Sequence, residues 1–197
     1  MIFQNTIPLI KKRINPIDLH ITLCSLRKVN SQSLMLSSCG GSSENFVIFG
    51  RYFLDRKLSI IGRNNVDSVA LSLFLCGEKR VAMPDTQFLI HENSLVCDSG
   101  GRVTKGEAQM RALIHEHQRE MSEFFFWSDV YQTLRQLDAM YAELVSYRTA
   151  LSVATASSLM YEGHCFGVEE ALECGIIHGI IEDDVPILSQ LGVFNPW

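Results

Sequence analysis

The 197 residues and 22.2 kDa suit about one domain, and the 47% apolar and 20% charged content excludes a disordered chain. A chain of this size buries a full core without disulfide or metal staples. A net charge of −5 and a pI near 5.7 exclude the basic face that nucleic-acid binding needs; Lys11-Lys12-Arg13 is a short solvated cluster. The apolar weighting predicts some hydrophobic surface hidden in an oligomer.

Six cysteines occur, and no two of them form a CxxC pair, so no metal site is expected. Cys24, Cys76 and Cys174 lie in apolar runs, where a thiol behaves as a small hydrophobe. No charged head precedes an apolar stretch at the N-terminus, and no run reaches the ~18 residues of a membrane span. Reduced thiols and a cytoplasmic location, away from membranes, are the expectation.

Residues 1–16, with Pro8 and Pro16 as breakers, read as a loose or exchanged arm, and 17–29 as a helix or a strand, with the helix preferred. Ser33 to Ser37 reads as a buried strand, ended by Gly40-Gly41, with Ser42 or Ser43 capping a helix that aligns Phe46, Phe49, Phe53 and Leu54. Leu58 to Ile61 is a second strand. Gly62 and Asn64-Asn65 predict a turn, and Ser68 to Cys76 a buried helix closed by Gly77. Lys79 to Met83 and Phe88 to His91 are further strands around the turn Pro84-Asp85. Strands alternating with helices predict an α/β layered fold with a mainly parallel sheet. Gly100-Gly101 marks a hairpin tip. From Thr104 to about Leu159 the chain is helical in composition, and breakers are absent between Glu107 and Glu162, which predicts one or two long helices; a short helix at Glu169 to Glu173 and a last strand from Gly175-Ile176-Ile177 follow.

Ser68 opens a buried helix after a strand. Such a serine is either an N-cap or a nucleophile whose developing oxyanion would meet helix N–H groups and those of the Gly40-Gly41 turn. A nucleophilic serine needs a base, and His91 closes an apolar strand where side chains emerge at a sheet edge. His115-Glu116-His117 lacks the i, i+4 spacing of a zinc helix and reads as solvated surface.

Four segments, in order, resemble the ClpP family, the proteolytic subunits of the ATP-dependent Clp protease. Ser37-Ser38-Cys39-Gly40-Gly41-Ser42 resembles its Asn-Ser-Pro-Gly-Gly turn, and Asp67-Ser68-Val69-Ala70 its Ala-Ser-Met-Gly around the nucleophile. Met83 to His91 is similar to the Leu-Pro-Asn-Ser-Arg-Val-Met-Ile-His run that ends in the catalytic histidine. Gly167 to Ile177 is similar to Ser-Ala-Pro-Glu-Ala-Val-Glu-Tyr-Gly-Leu-Val. The resemblance implies one ClpP/crotonase-like domain over 1–197. It implies Ser68 as nucleophile, His91 as general base, and the N–H groups of Gly41 and Val69 as oxyanion hole. It also implies a peptide or unfolded-protein substrate, no cofactor, and assembly as a homo-oligomeric ring or with a related subunit.

Four departures stand out. The family's triad aspartate falls on Leu159, which cannot orient an imidazole. Ser157, Ser158, Glu162 or a carboxylate from a neighbouring subunit could take its place, whereas Asp67 is expected to point away from the site. Cys39 replaces the proline of the glycine turn. The region of about 92–140, the family's handle, is about twenty residues longer and carries Phe124-Phe125-Phe126-Trp127, a run too broad for one helix face. The short N-terminal segment is expected to lack the axial loop by which the family meets its ATPase ring, which leaves an AAA+ partner open but unsupported. A serine endopeptidase is the leading reading, and a catalytically impaired scaffold subunit is the alternative. An acyl-CoA enzyme of the crotonase type would need acidic catalysts and a CoA pocket, for which the sequence has no feature.

Overall fold

The computed structural model describes residues 9–11, 14, 16–28, 32–96 and 101–181. Pro8, Lys12, Arg13, Cys97 and Gly100 lie outside them. The elements are β1 (Leu9–Lys11), α1 (Pro16–Lys28), β2 (Ser33–Ser38), α2 (Glu44–Arg56), β3 (Ser59–Asp67), α3 (Val69–Leu75), β4 (Lys79–Ala82), β5 (Gln87–Leu89), β6 (Ser94–Val96), β7 (Arg102–Thr104), α4 (Lys105–Gln118), α5 (Met121–Arg148), α6 (Val153–Glu162), β8 (Cys165–Phe166) and α7 (Val168–Glu173).

The main sheet runs β1-β2-β3-β5-β8, with β4 also beside β3, and every pair is parallel except β5–β8. The expected α/β architecture is therefore present. β3 is long enough to serve two neighbours: Ser59–Gly62 pairs with β4 and Asn65–Asp67 with β5. Side chains alternate across the sheet. Leu34, Leu36 and Ile60 enter the main core, while Met35 and Ile61 join Val81 and Ile181 on the other face. All seven residues of α3 are buried.

The C-terminal end of α3 is held by two arginines. Arg80 is buried and donates to the carbonyls of Ile176 (2.7 Å), Arg148 (2.8 Å) and Gly175 (2.9 Å). Arg148 donates to those of Leu75 (2.8 Å) and Gly77. Burial, with Arg148 nearby, brings the Arg80 guanidinium down to about 10.

Four local expectations are corrected. Gly62 to Asn65 stays in β3 as an irregularity rather than a turn. Between Leu36↔Gly62 and Ser38↔Val66, β3 carries two extra residues, and Asn64 takes a φ of 54°. Leu9–Lys11 of the arm adds a parallel edge strand, and Ile14 bridges to Gly41. The long helical stretch is three helices, broken where Arg119 turns left-handed (φ 61°) and where Thr149 is extended. Ile176 and Ile177 form no strand; Ile180 makes a single bridge to Ala82.

The handle is built from the β6–β7 hairpin and the α4–α5 pair. It has its own small core of Val103, Ala108, Ala112 and Trp127. Trp127 lies under the Arg111 guanidinium, 4.6 Å from the ring centroid. Phe125 and Phe126 remain exposed, as do Met110, Leu113, Ile114 and Met121. No helix among the described residues is long and apolar enough to cross a membrane.

Candidate active site

Ser68 stands between the end of β3 and the start of α3 with φ 57° and ψ −126°. A side chain other than glycine in that region stores about 1–3 kcal/mol of strain, which the surroundings must over-determine. They do. The Ser68 N–H donates to Leu89 O of β5 (2.8 Å), while its carbonyl accepts from Leu71 N–H (2.9 Å), Ser72 N–H (3.2 Å) and the Tyr141 hydroxyl (3.2 Å). The Ser68 hydroxyl caps no helix N–H, so the N-cap role is not the one it fills.

Gly40 packs on this elbow from β2. Its φ is 93°, and a Cβ there would lie 2.8 Å from Ser68 Cβ and 2.9 Å from Asp67 O. Only glycine accepts both the conformation and the approach. The Gly40 N–H is held by Ser38 Oγ at 3.1 Å. Gly41 leans on the arm, where a Cβ would meet Ile14 O.

Ser68 and His91 line one open cleft of about 360 Å³ with Cys39, Gly41, Asp67 and Arg102 among its other walls. The sequence-derived Ser68, His91 and Gly41 are thus brought together, and Val69 follows Ser68 as the first residue of α3. No hydrogen bond joins Ser68 to the His91 ring. His91 Nδ1 instead lies 2.6 Å from Glu92 O. A carbonyl only accepts, so Nδ1 carries a proton, and in the neutral ring Nε2 is the acceptor.

The loop after His91 is anchored to the handle. Asp138 Oδ1 on α5 accepts from Asn93 N–H (2.8 Å) and Nδ2 (2.9 Å). Lys105 bridges Asp138 Oδ2 (3.1 Å) and Glu92 Oε1 (2.7 Å). Partial burial works against the Lys105 ammonium, but the Glu92 and Asp138 carboxylates outweigh it and raise its pKa. Ser43 Oγ does not cap α2 as expected but donates to Asn93 Oδ1 at 2.5 Å. The network joins the handle, the His91 loop and the chain just after the glycine turn.

Leu159 packs against the main core. Ser158 Oγ donates to Glu162 Oε1 (3.1 Å) on the exposed side of α6, and Ser157 lines a separate cavity with Glu92, Lys105 and Asp138. None of the three suggested stand-ins hydrogen-bonds His91. Asp67, expected to point away, lines the same cleft as Ser68 and His91. It is 9% exposed, and its Oδ1 is sealed from solvent with no hydrogen-bond partner. Burial raises the Asp67 carboxyl above its ordinary value; the Leu89 backbone, the Asn65 side chain and the charge of His91 offset part of that. Sequence reading also missed Asn93 and Asp138. The available signal for Asp67 was an acidic residue at the C-terminal end of a parallel strand, where α/β sheets place ligands.

A mainly parallel sheet, a serine elbow and a histidine at the end of the adjacent strand define a ClpP/crotonase-type fold. No family model matches the chain, and no curated protein matches it. Solved structures do. A point mutant of ClpP1 from Listeria monocytogenes is 20% identical, with 90% of this chain and 91% of that one covered and a TM-score of 0.62. The ClpP protease catalytic domain from Plasmodium falciparum is also 20% identical, with 91% and 87% covered and a TM-score of 0.63. ClpP1 from L. monocytogenes is 21% identical, with 89% and 91% covered and a TM-score of 0.57. The chain has the ClpP-like fold.

Proposed function

We propose that the protein is a ClpP-like serine endopeptidase acting on peptides or unfolded protein through an acyl-enzyme on Ser68. The observation that carries this reading is the strained positive-φ elbow that holds Ser68 in one cleft with His91. Strain of this kind clusters at catalytic nucleophiles, where a sharp strand-to-helix turn exposes the hydroxyl.

In this mechanism His91 Nε2 takes the Ser68 Oγ proton as Oγ bonds to the substrate carbonyl carbon. The π electrons move to the carbonyl oxygen, which the N–H groups of Gly41 and Val69 receive. The tetrahedral adduct collapses, His91 returns the proton to the leaving amine, and water then releases the acyl group by the same route. Glu92 O keeps Nδ1 protonated, so the base tautomer is set before substrate arrives. No cofactor or metal takes part.

The exposed apolar residues of α4 and the start of α5 support assembly through the handle, as a homo-oligomer or with a related subunit. Free thiols at Cys24, Cys39, Cys76, Cys165 and Cys174 support a reducing, cytoplasmic setting.

Leu159 at the aspartate position, together with the absence of a Ser68–His91 hydrogen bond, favours the second reading, a scaffold subunit without turnover. Fluorophosphonate labelling read by intact mass decides between them. One adduct on wild type that is absent from Ser68→Ala supports the peptidase. No adduct on the folded wild type, or one that persists in Ser68→Ala, overturns it.

A further inference from the structure

We propose that Asp67, the residue immediately before Ser68, is the positioning anion of this site, facing His91 and stabilising its imidazolium in place of the aspartate that Leu159 supplants. The inference rests on the reading of Ser68 and His91 as nucleophile and base.

The placement follows from register. Asp67 pairs with Leu89 in the parallel β3–β5 ladder, and His91 lies two residues beyond Leu89, just past the end of β5. Leu89 also pairs with Cys165 of β8, which brings Cys165 into the same row. Asp67, Leu89 and His91 line one cleft. Two independent electrostatic effects agree with this proximity. The His91 charge lowers the Asp67 pKa, and the Asp67 charge raises that of Cys165.

The Leu89 backbone and the Asn65 side chain serve the carboxylate, but neither brings a positive charge. Asp67 is nine-tenths buried, Oδ1 has no hydrogen-bond partner, and no lysine or arginine pairs with it among the described residues. Buried charges are normally paired. The groups that face Asp67 are His91 beyond β5, Cys165 on β8 and the Tyr141 hydroxyl on α5, while Arg102 of β7 lines the same cleft. Of the facing groups only His91 can become a cation. It does so in the step where Ser68 Oγ bonds to carbon and its proton moves to Nε2. In this role Asp67 acts as the carboxylate and neither takes nor gives a proton. The division of labour is then clear: Glu92 O fixes the tautomer, and Asp67 balances the charge.

The test uses ¹³C NMR titration of the side-chain carboxyls, with the Asp67 signal assigned by its loss in Asp67→Asn. In acid solution the histidine is charged, so His91→Gln removes a positive neighbour. The Asp67 titration is expected to move up by about one pH unit. An unchanged titration overturns the inference. In parallel, Asp67→Asn is expected to slow fluorophosphonate labelling by on the order of 100-fold, with partial recovery in Asp67→Glu. That loss is smaller than the ~10⁴ seen where the aspartate bonds the ring directly. Labelling of Asp67→Asn at the wild-type rate also overturns it. Should wild type take no adduct at all, the peptidase reading fails, while the titration still decides whether Asp67 and His91 are coupled.

Discussion

Replacing Gly40 with alanine tests whether the elbow is held by close packing. The added methyl carbon would sit 2.8 Å from Ser68 Cβ and 2.9 Å from Asp67 O. Ordinary contact begins near 3.5 Å between carbons, so one partner must give by about 0.7 Å. Neither is a flexible side-chain end; one is the Cβ of Ser68 and the other is backbone. The φ of 93° adds about 1–2 kcal/mol for any residue with a Cβ. The expected total is a stability loss of roughly 2–4 kcal/mol, the sum of that penalty and an overpacking cost of about 1–2 kcal/mol. A displacement approaching 1 Å at a nucleophile is worth about 100-fold in rate. Gly106→Ala is the control, because a methyl there meets nothing within 4 Å. The assay is urea unfolding followed by the pseudo-first-order rate of fluorophosphonate labelling on the folded protein. Gly40→Ala labelled at the wild-type rate, with stability within 0.5 kcal/mol of Gly106→Ala, would refute the reasoning.

Arg80→Met should lose roughly 3 kcal/mol, about 1 for each of the Ile176, Arg148 and Gly175 carbonyls it strands, read as a fall in the urea midpoint at constant slope. Asp67→Asn should stabilise the fold at pH 7. A raised folded-state acid binds more protons than the unfolded chain between 3.8 and its folded value, so wild-type stability falls as pH rises through that window. Unfolding curves should therefore show the mutant's advantage shrinking towards pH 4, and an advantage that grows on acidification would contradict the assignment. Asp138→Ala should loosen the loop after His91 by removing both bonds to Asn93, at a cost of about 2 kcal/mol, and should slow labelling of Ser68 without touching it. With maleimide, exposed Cys39 should react and block the cleft to the phosphonate, an effect absent from Cys39→Ser. Cys76, which burial pushes up to about 12, should stay unmodified until unfolding, as peptide mapping would show.

The run from Met83 to His91 was legible because the turn chemistry of Pro84-Asp85 frames a short apolar strand, and β5 lies within it. The Gly40-Gly41 turn was legible for the same kind of reason. Asp67 was not. Neighbouring residues in a strand point to opposite faces, which argues that a carboxylate beside a nucleophile faces away. The positive φ at Ser68 breaks that alternation, and nothing local in the sequence announces it. The register of β3 against β5, which aligns Asp67 with Leu89, comes from tertiary pairing. The helix ends at Arg119 and Thr149 were invisible because neither uses glycine or proline. The hydroxyl of Ser43 looked like a cap, but its partner, Asn93, lies fifty residues away.

The complete burial of α3 has a kinetic consequence. Amide hydrogens there can exchange with solvent only when much of the central sheet opens, so the segment carrying Ser68 belongs to the slowest-exchanging part of the molecule. The His91 loop hangs instead from a handle with a small separate core and a few polar ties. Its opening free energy is set by that smaller unit. The two halves of the site therefore come apart in a fixed order on mild denaturation. The histidine side departs first, and the serine keeps its strained shape until the sheet itself gives way.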